Sequence, residues 1–384
     1  MQKKLIALAI AGLSSAAFAQ TNVTIYGVAD ASFDFIKVSG GNGIDGTPNF
    51  NRVSTNGSHI GFKGTENLGN GLSAIFQFES EANFDTGSAL GTSRDSFVGL
   101  SGNFGKVLLG NLTGPTRALG VALDVNAGDA DGIGSNSAIL GKLGGSLANG
   151  GVGYSTPPAT RSATTSSLFD TRFNNSIAYI SPSFSGLQAT AMYVANENKS
   201  ETAGAEFDST AYDLGLNYNN GPVMVGLTYG KVSEEIGGVT PEDLDISETR
   251  LGGMYDFGNA TVRAVYARTK LEENIAGDEI KQNVWGLGGT YNVTVNGRIT
   301  AQYYKAKDLD TNSGNDDNTG AKFYSLGYEH SLSKRTMLKA NYAYLKNDSN
   351  TTLEGGYDFG RNSAGFVGDN IKVSGFQFGV RHAF

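Results

Sequence analysis

The sequence predicts an all-β protein, a 16-stranded antiparallel transmembrane β-barrel. Two observations carry this prediction. From about residue 23 onward, short segments alternate apolar and polar residues, which is the pattern of a strand with one apolar face. The connections between these segments are alternately short and long, as in the barrels of bacterial outer membranes.

The N-terminus has the pattern of a secretory signal peptide. Lys3 and Lys4 precede an apolar run over residues 5–12, and Ala17 and Ala19 supply the small residues of a cleavage site. The run is shorter than the roughly 20 residues that a membrane-spanning helix needs. We therefore expect residues 1–19 to be a signal peptide and residues 20–384 to form one barrel.

The alternation is clearest in the last third of the chain. Over residues 336–345, Leu338 and Tyr342 fall on one face, whereas Lys339 and Asn341 fall on the other. The same pattern predicts sixteen strands, an even number as bacterial barrels require. They lie near residues 23–37, 52–64, 72–82, 94–101, 105–111, 171–181, 186–195, 210–218, 222–232, 247–257, 260–270, 282–293, 297–306, 321–332, 335–346 and 372–384.

The connections distinguish this barrel from other all-β folds. Short ones, such as 66–70 and 219–222, are rich in Gly and Asn, which tolerate the positive φ of tight turns. Long polar ones, such as 196–209 and 308–320, lie between them. A soluble β-sandwich has Greek-key crossings and does not predict this regular alternation. A β-solenoid would show a fixed-period repeat, which the sequence lacks.

Composition narrows the class further. The chain has no cysteine, a formal net charge of −8, and 17% charged residues concentrated in the long connections. An acidic balance argues against a nucleic-acid partner, whose phosphates require clustered Lys and Arg. The lumen of a barrel this wide cannot be filled by side chains, so we expect apolar residues to face lipid and polar residues to face water.

Four segments resemble the Gram-negative general (diffusion) porins, most closely those of the β-proteobacterial type. They are residues 23–30 (VTIYGVAD), 61–72 (GFKGTENLGNGL), 175–182 (NSIAYISP) and the terminal Phe384. The resemblance implies a homotrimer in the outer membrane of a Gram-negative bacterium. Each barrel would be a water-filled channel for passive diffusion of ions and small hydrophilic solutes. It also implies that the β-barrel assembly machinery recognises Phe384.

The resemblance implies that the third extracellular loop, residues 112–169, folds inward and forms the constriction. In this family, carboxylates on the third loop face basic residues on the wall and create a transverse field. Here the loop carboxylates are Asp124, Asp129 and Asp131, and residues 116–125 are expected to form a short helix. Such a long irregular segment in a compact protein is usually functional.

The basic side of the constriction is predicted from the same resemblance. Arg94 and Arg172 match family arginines, and the parity of its strand places Arg172 in the lumen. His59 stands where arginine is usual; with an unperturbed pKa near 6.5 it would be mostly neutral at pH 7. Arg52 and Arg117 are further candidates. We therefore expect weak selectivity, and the sequence leaves its sign open.

Other lumen residues suggest narrower or different functions. Glu79 and Asp30 are additional candidate lumen carboxylates. A substrate-specific porin for a sugar or organic anion is the main alternative, because Tyr26 and Tyr304 point inward by parity. An enzyme is not predicted, since only His59 among the three histidines could serve catalysis and no nucleophile motif accompanies it. A role in adhesion or phage attachment stays open.

No cofactor and no dedicated metal site are predicted. Four aspartates on one loop have the oxygen ligands that calcium prefers, but a solvated acidic loop is the expected reading: Asp308, Asp310, Asp316 and Asp317. Divalent cations could bridge such a loop to lipopolysaccharide. The expected partners are therefore two further copies of the chain, lipopolysaccharide and outer-membrane lipid, the assembly machinery, and the permeating solutes.

Overall fold

A computed structural model describes residues 22–41, 49–87, 90, 94–126, 132–140, 169–196, 199–202, 206–236, 242–273, 277–312, 314–350, 357, 359 and 369–384. The predicted signal peptide, Asp129, Asp131 and residues 141–168 of the predicted loop lie outside this range. Among the described residues, no helix is both long and apolar enough to cross a bilayer.

The described chain consists of strands, one short helix and one 3₁₀ turn. The helix α1 spans Pro115–Leu123 and the turn spans Asn136–Ala138. The strands are β1 (Asn22–Ser39), β2 (Phe50–Thr55), β3 (His59–Gly69), β4 (Leu72–Glu81), β5 (Ser96–Gly102), β6 (Gly105–Thr113), β7 (Arg172–Ile180), β8 (Leu187–Val194), β9 (Phe207–Asn220), β10 (Val223–Ile236), β11 (Glu242–Asp256), β12 (Ala260–Glu273), β13 (Asp278–Asn292), β14 (Gly297–Ala306), β15 (Leu309–Thr311), β16 (Gly314–Asp316), β17 (Ala321–Ser331), β18 (Thr336–Asn347) and β19 (Lys372–Ala383).

These strands form a closed barrel that crosses the membrane sixteen times. β2 and β3 pair with successive halves of β1, so together they count as one crossing. β15 and β16 form a small hairpin within the connection from β14 to β17. β1 pairs antiparallel with β19, from Val28 opposite Ala383 to Ser39 opposite Lys372, and this pairing closes the sheet. The predicted 16-stranded antiparallel barrel is confirmed.

Hydrogen bonds from residues 56 and 58 replace the strand pairing that β1 lacks between β2 and β3. The Ser58 hydroxyl donates to the carbonyl oxygen of Asp30 at 2.9 Å and accepts from the Asp30 amide at 2.8 Å. The backbone amide of Asn56 also donates to the Asp30 carbonyl oxygen. Because hydrocarbon cannot satisfy a broken ladder, these bonds keep the backbone of β1 paired across the gap.

The wall alternates as predicted. In β17, Tyr324, Leu326 and Tyr328 are exposed on the outer face, whereas Ser325 and Glu329 are buried on the inner face. Exposed large hydrophobic residues recur in this way on strands around the barrel. Such a surface is stable in lipid and unfavourable in water, since burial of apolar area drives folding in water.

The inner face is less polar than predicted, because part of the third loop packs against it. Leu119, Leu123 and Leu140 of the loop share an apolar cluster with Tyr304 and Phe323 of the wall. The strands that face α1 carry glycines where the helix side chains contact them. A Cβ at Gly226 would lie 2.5 Å from Leu119, and one at Gly252 would lie 2.2 Å from Leu123. Glycine at these positions therefore allows the close approach of the helix side chains to the strands.

Candidate functional site: the lumen wall and the third loop

The helix α1 begins with a cap supplied by the barrel wall. Pro115 occupies its first turn, where the missing N–H costs nothing. Gly114 has no side chain to cap the helix, and the carboxylate of Asp213 on β9 accepts instead, from the Thr116 amide at 3.0 Å and the Thr116 hydroxyl at 2.6 Å. The wall thereby fixes where the helix starts.

A buried ion pair lies beneath the same turn. Arg250 and Glu248 of β11 are fully buried, and Arg250 Nη2 lies 2.6 Å from Glu248 Oε1. Arg250 Nη1 donates to the carbonyl oxygen of Thr116 at 2.9 Å. The guanidinium thus joins the wall to the helix, and a charge-assisted bond of this kind is stronger than a neutral one.

The C-terminal end of α1 is fixed through Asp124. Its carboxylate accepts from the Ser135 hydroxyl and the Asn136 amide, both at 2.9 Å, and from Gln302 Nε2 at 3.1 Å. Burial raises the pKa of the Asp124 carboxyl, and the hydrogen bonds only partly offset this effect. Asp124 was expected on the acidic side of the constriction, but only 6% of it is exposed, so it anchors the loop instead of facing the lumen.

Residues 132–140 continue along the inner wall. Asn126 Nδ2 donates to the Gly134 carbonyl, and Thr300 of β14 donates to Asn126 Oδ1 at 3.1 Å. Asn136 Nδ2 donates to the Tyr304 hydroxyl at 3.1 Å, and Tyr304 is 2% exposed. The loop therefore covers Tyr304, one of the two inward tyrosines that suggested a sugar-binding channel.

Arg94, His59 and Tyr26 converge on one carboxylate. Arg94 Nε lies 3.0 Å from Glu79 Oε2, while His59 Nε2 and the Tyr26 hydroxyl lie 3.5 Å and 3.2 Å from Glu79 Oε1. His59 Nδ1 faces the Gly57 carbonyl at 2.8 Å. Sequence analysis therefore named four residues that lie together in the structure. It did not predict that Glu79 would pair with Arg94 and His59.

Arg172 is paired in the same way. Its Nε lies 3.1 Å from Asp95 Oδ2, and Asp95 also accepts from the Thr113 amide at 2.6 Å and the Thr113 hydroxyl at 2.9 Å. Burial acts to raise the pKa of Asp95, but Arg172 and the bonds from Thr113 outweigh it and hold that pKa below its usual range. Asp95 is a site residue that sequence analysis missed.

Two further carboxylates lie deep in the wall. Asp34 accepts from Arg52 Nε at 3.2 Å and from the Ser54 hydroxyl at 2.6 Å. Asp30 lies 2.5 Å from Lys339 Nζ and 3.5 Å from Arg381 Nη1. We call the group Arg52, Arg94, Arg172, Lys339 and Arg381 the basic wall.

Arg117 does not belong to the basic wall. It lies on α1, is 2% exposed, and donates from Nη1 to the Asp170 carbonyl oxygen at 2.5 Å. Arg117 was predicted on the basic side of the constriction, but it is buried beside Asp170 and exposes little positive charge to the lumen. Phe384 is exposed at the barrel seam, where its amide and carbonyl pair with those of Gly27 at 3.1 Å.

In four lumen ion pairs the cation is more exposed than its carboxylate. The side-chain exposures are 23% for Arg52 against 0% for Asp34, 11% for Lys339 and 21% for Arg381 against 0% for Asp30, and 33% for Arg298 against 5% for Glu329. The Arg94–Glu79 pair is even, at 9% each, and Arg172 is less exposed than Asp95, at 11% against 25%. Paired charges of this arrangement line a polar passage.

A lipid-facing exterior, a polar inner wall and a loop held inside define an outer-membrane β-barrel channel. A family model for Gram-negative porins matches residues 5–351. The chain belongs to this family and is an outer-membrane porin. Porins are channel proteins rather than enzymes.

Individual relatives agree with this assignment. Outer membrane porin protein 32 of Delftia acidovorans is 34% identical over 390 residues, covering 100% of both chains. The solved structure of an anion-selective porin from Comamonas acidovorans has a TM-score of 0.74 at 29% identity, covering 95% of this chain and 100% of that one. OmpT of Vibrio cholerae, solved in its trimer form, has a TM-score of 0.66 at 17% identity over 95% and 99% of the two chains, which shows a common fold.

Proposed function

We propose that this porin is a passive diffusion channel for ions and small hydrophilic solutes with a weak preference for anions. The observation that carries the proposal is the exposure of three residues of the basic wall. Arg52, Lys339 and Arg381 reach further toward water than Asp34 and Asp30, the carboxylates that balance them. In these three pairs a passing ion is therefore nearer to the positive member.

The preference is weak because the pairs are close to neutral. Coulomb energy falls with distance, so a cation and a carboxylate about 3 Å apart nearly cancel for an ion in mid-lumen, and salt screens the remainder over about 10 Å. An imidazole with an ordinary pKa is mostly neutral at pH 7, so His59 adds little positive charge to the wall. The solved porin from Comamonas acidovorans, described as anion-selective, supports the same sign.

We further propose that residues 112–169 narrow the channel. The bonds from Asp213 and Arg250 to Thr116, and from Asp124 to Gln302, support this role because they hold α1 against the inner wall at both ends. With Asp124 buried, the acidic side of the constriction loses one of its predicted carboxylates. We propose that Asp129 and Asp131 supply the others.

We also propose a homotrimer in which each barrel has its own pore. The trimer form of OmpT, a protein with the same fold, supports this assembly. We infer that Phe384 is the signal for barrel assembly, because it is an exposed terminal aromatic at the seam where β19 meets β1.

The test is single-channel current in a planar bilayer with a salt gradient. We expect conductance steps in threes that grow with salt concentration, and a reversal potential showing modest anion preference. A cation-favouring reversal potential would contradict the assigned sign. Folded protein that produces no current would contradict the channel itself. Migration as a monomer on a detergent gel, without heating and after mild extraction, would contradict the trimer.

A further inference from the structure

A row of lysines crosses the outer face of the barrel. Lys305, Lys322, Lys346 and Lys372 lie on the neighbouring strands β14, β17, β18 and β19, and each stands directly opposite the next in the strand register. Strands are about 4.8 Å apart, so the four Cα atoms span about 14 Å. We call these four residues the lysine row.

The lysine row lies at the boundary between lipid and the extracellular loops. Two residues further into the membrane, the tyrosines Tyr303, Tyr324 and Tyr344 form the next row on the same face. Beyond them the strands present Leu326, Tyr342 and Phe376. The connections that follow the lysine row are the long ones, 307–320 and 348–371. The order apolar, tyrosine, lysine places the row at the head-group level of the outer leaflet.

Directly opposed like charges are destabilising in a sheet. Lys305 is balanced by Asp348, whose Oδ2 lies 3.0 Å from Nζ. Within the part of the chain that the structure describes, Lys322, Lys346 and Lys372 form no ion pair, and Lys322 and Lys372 are exposed. Three adjacent cations therefore face the head-group region without a protein counter-charge among the described residues.

Elsewhere on the same outer face, the chain balances such charges itself. Lys270 of β12 is directly opposite Lys281 of β13, but Glu272 and Glu279 pair with them. Lys231 pairs with Asp245 at 2.8 Å. Among the described residues, the opposed lysines Lys270 and Lys281 are thus neutralised by the protein, whereas three members of the lysine row are not.

We propose that the lysine row binds the phosphorylated head group of lipopolysaccharide in the outer leaflet. Lipopolysaccharide fits better than a phospholipid because one molecule carries several phosphates, and one multivalent anion can engage several cations at the energetic advantage of a linked ligand. The ammonium groups replace the divalent cations that otherwise bridge these phosphates. This binding surface differs from the acidic loop at 308–317, for which bridging through divalent cations was expected.

The test compares two triple variants that remove the same charge. Lys322→Gln/Lys346→Gln/Lys372→Gln removes the unpaired lysines, and Lys231→Gln/Lys270→Gln/Lys281→Gln removes paired ones. Binding of purified lipopolysaccharide to the full-length protein in detergent is measured with EDTA present, so that divalent cations do not bridge. Phosphatidylglycerol and dephosphorylated lipopolysaccharide are the comparison lipids.

We expect the first variant to bind lipopolysaccharide about 100-fold more weakly, from the free energy that three lysines near an anionic surface contribute. The second variant should stay within about threefold of the parent, and dephosphorylated lipopolysaccharide should bind the parent weakly. Equal binding by the parent and the first variant would overturn the proposal. Equal loss in both variants would reduce it to a net-charge effect, and equal competition by phosphatidylglycerol would overturn the choice of lipid.

Channel recordings separate this proposal from the proposed function. The lysine row lies on the lipid side, so Lys322→Gln/Lys346→Gln/Lys372→Gln should leave single-channel conductance and reversal potential unchanged. Normal conductance also shows that the variant has folded. The channel proposal can therefore fail without affecting the lipopolysaccharide site, and the reverse also holds.

Discussion

Arg250 Nη1 lies 2.9 Å from the carbonyl oxygen of Thr116, and this bond joins the barrel wall to the first turn of α1. Both members of the ion pair that holds the guanidinium, Arg250 and Glu248, are fully buried. The position of the third loop therefore depends on charges that no permeating ion contacts. Disturbing them tests whether the loop sets the width of the channel.

Arg250→Met should release α1 and increase single-channel conductance. Removing one partner of a buried ion pair typically costs about 3–5 kcal/mol, because the other charge is left uncompensated. We expect a lower temperature for the gel shift of the unheated protein and noisier current. The double variant Arg250→Met/Glu248→Gln removes both charges and should recover most of the heat resistance. An unaltered conductance in Arg250→Met would exclude the loop anchor from control of the pore.

Gly226→Ala should disturb the loop by steric contact alone. Its Cβ would lie 2.5 Å from Leu119 Cδ1 and 2.7 Å from Asn217 Oδ1. Overpacking of this kind costs about 1–3 kcal/mol. We expect lower heat resistance and altered conductance, and we expect Leu119→Ala in the same chain to restore both. Failure of the second substitution to rescue the first would show that the helix does not need the space above Gly226.

Alternation predicted the barrel because period two is a local property of the chain. Each half-buried strand shows its own pattern, and closure then follows because a sheet edge cannot stay unpaired in lipid. Local sequence could not predict which charges would pair. Glu79 lies on β4 and Arg94 just before β5, so their contact depends on the register of the two strands. The strand parity of Asp213 and Arg250 places both on the inner face, so parity alone identifies them as candidate inner-wall residues.

The loop was harder to predict for the same reason. Asp124 was expected to face the lumen, but it is buried, and one of its hydrogen-bond donors, Gln302, is 178 residues away in sequence. Arg117 lies on a helix whose orientation is set by Asp213 and Arg250. The apolar cluster of Leu119 and Leu123 with Tyr304 was missed because inner-face residues were expected to meet water.

Opposite substitutions in one pair should move ion selectivity in opposite directions. Glu79→Gln leaves Arg94 and His59 without their shared carboxylate, so anion preference should increase. Arg94→Gln leaves Glu79 uncompensated, so the channel should shift toward cations. A unit charge about 7 Å from an ion in water is worth about 0.6 kcal/mol, or roughly threefold in permeability. Reversal potentials in a salt gradient measure both. Shifts of the same sign would place this pair outside the ion path.

Acid pH should act on the Arg172–Asp95 pair only below the ordinary range of an aspartate. The pKa of Asp95 is held down chiefly by Arg172, against the opposing effect of burial. Its contribution to stability is therefore present above the unfolded pKa, near 3.9, and is lost as pH falls through the lower folded pKa. We expect no change in selectivity from this pair between pH 7 and 5, and an increase in anion preference below about pH 4.

Asp95→Asn should give that acid-pH selectivity already at pH 7, because the uncompensated charge of Arg172 then faces the lumen. The matched control is Asp245→Asn, which removes a carboxylate from the outer face, where Asp245 pairs with Lys231, and should leave selectivity unchanged. Reversal potentials from pH 7 to 3 measure the effect. If the parent channel and Asp95→Asn both gain anion preference between pH 7 and 6, that titration belongs to a group other than Asp95. His59 is then the first residue to substitute.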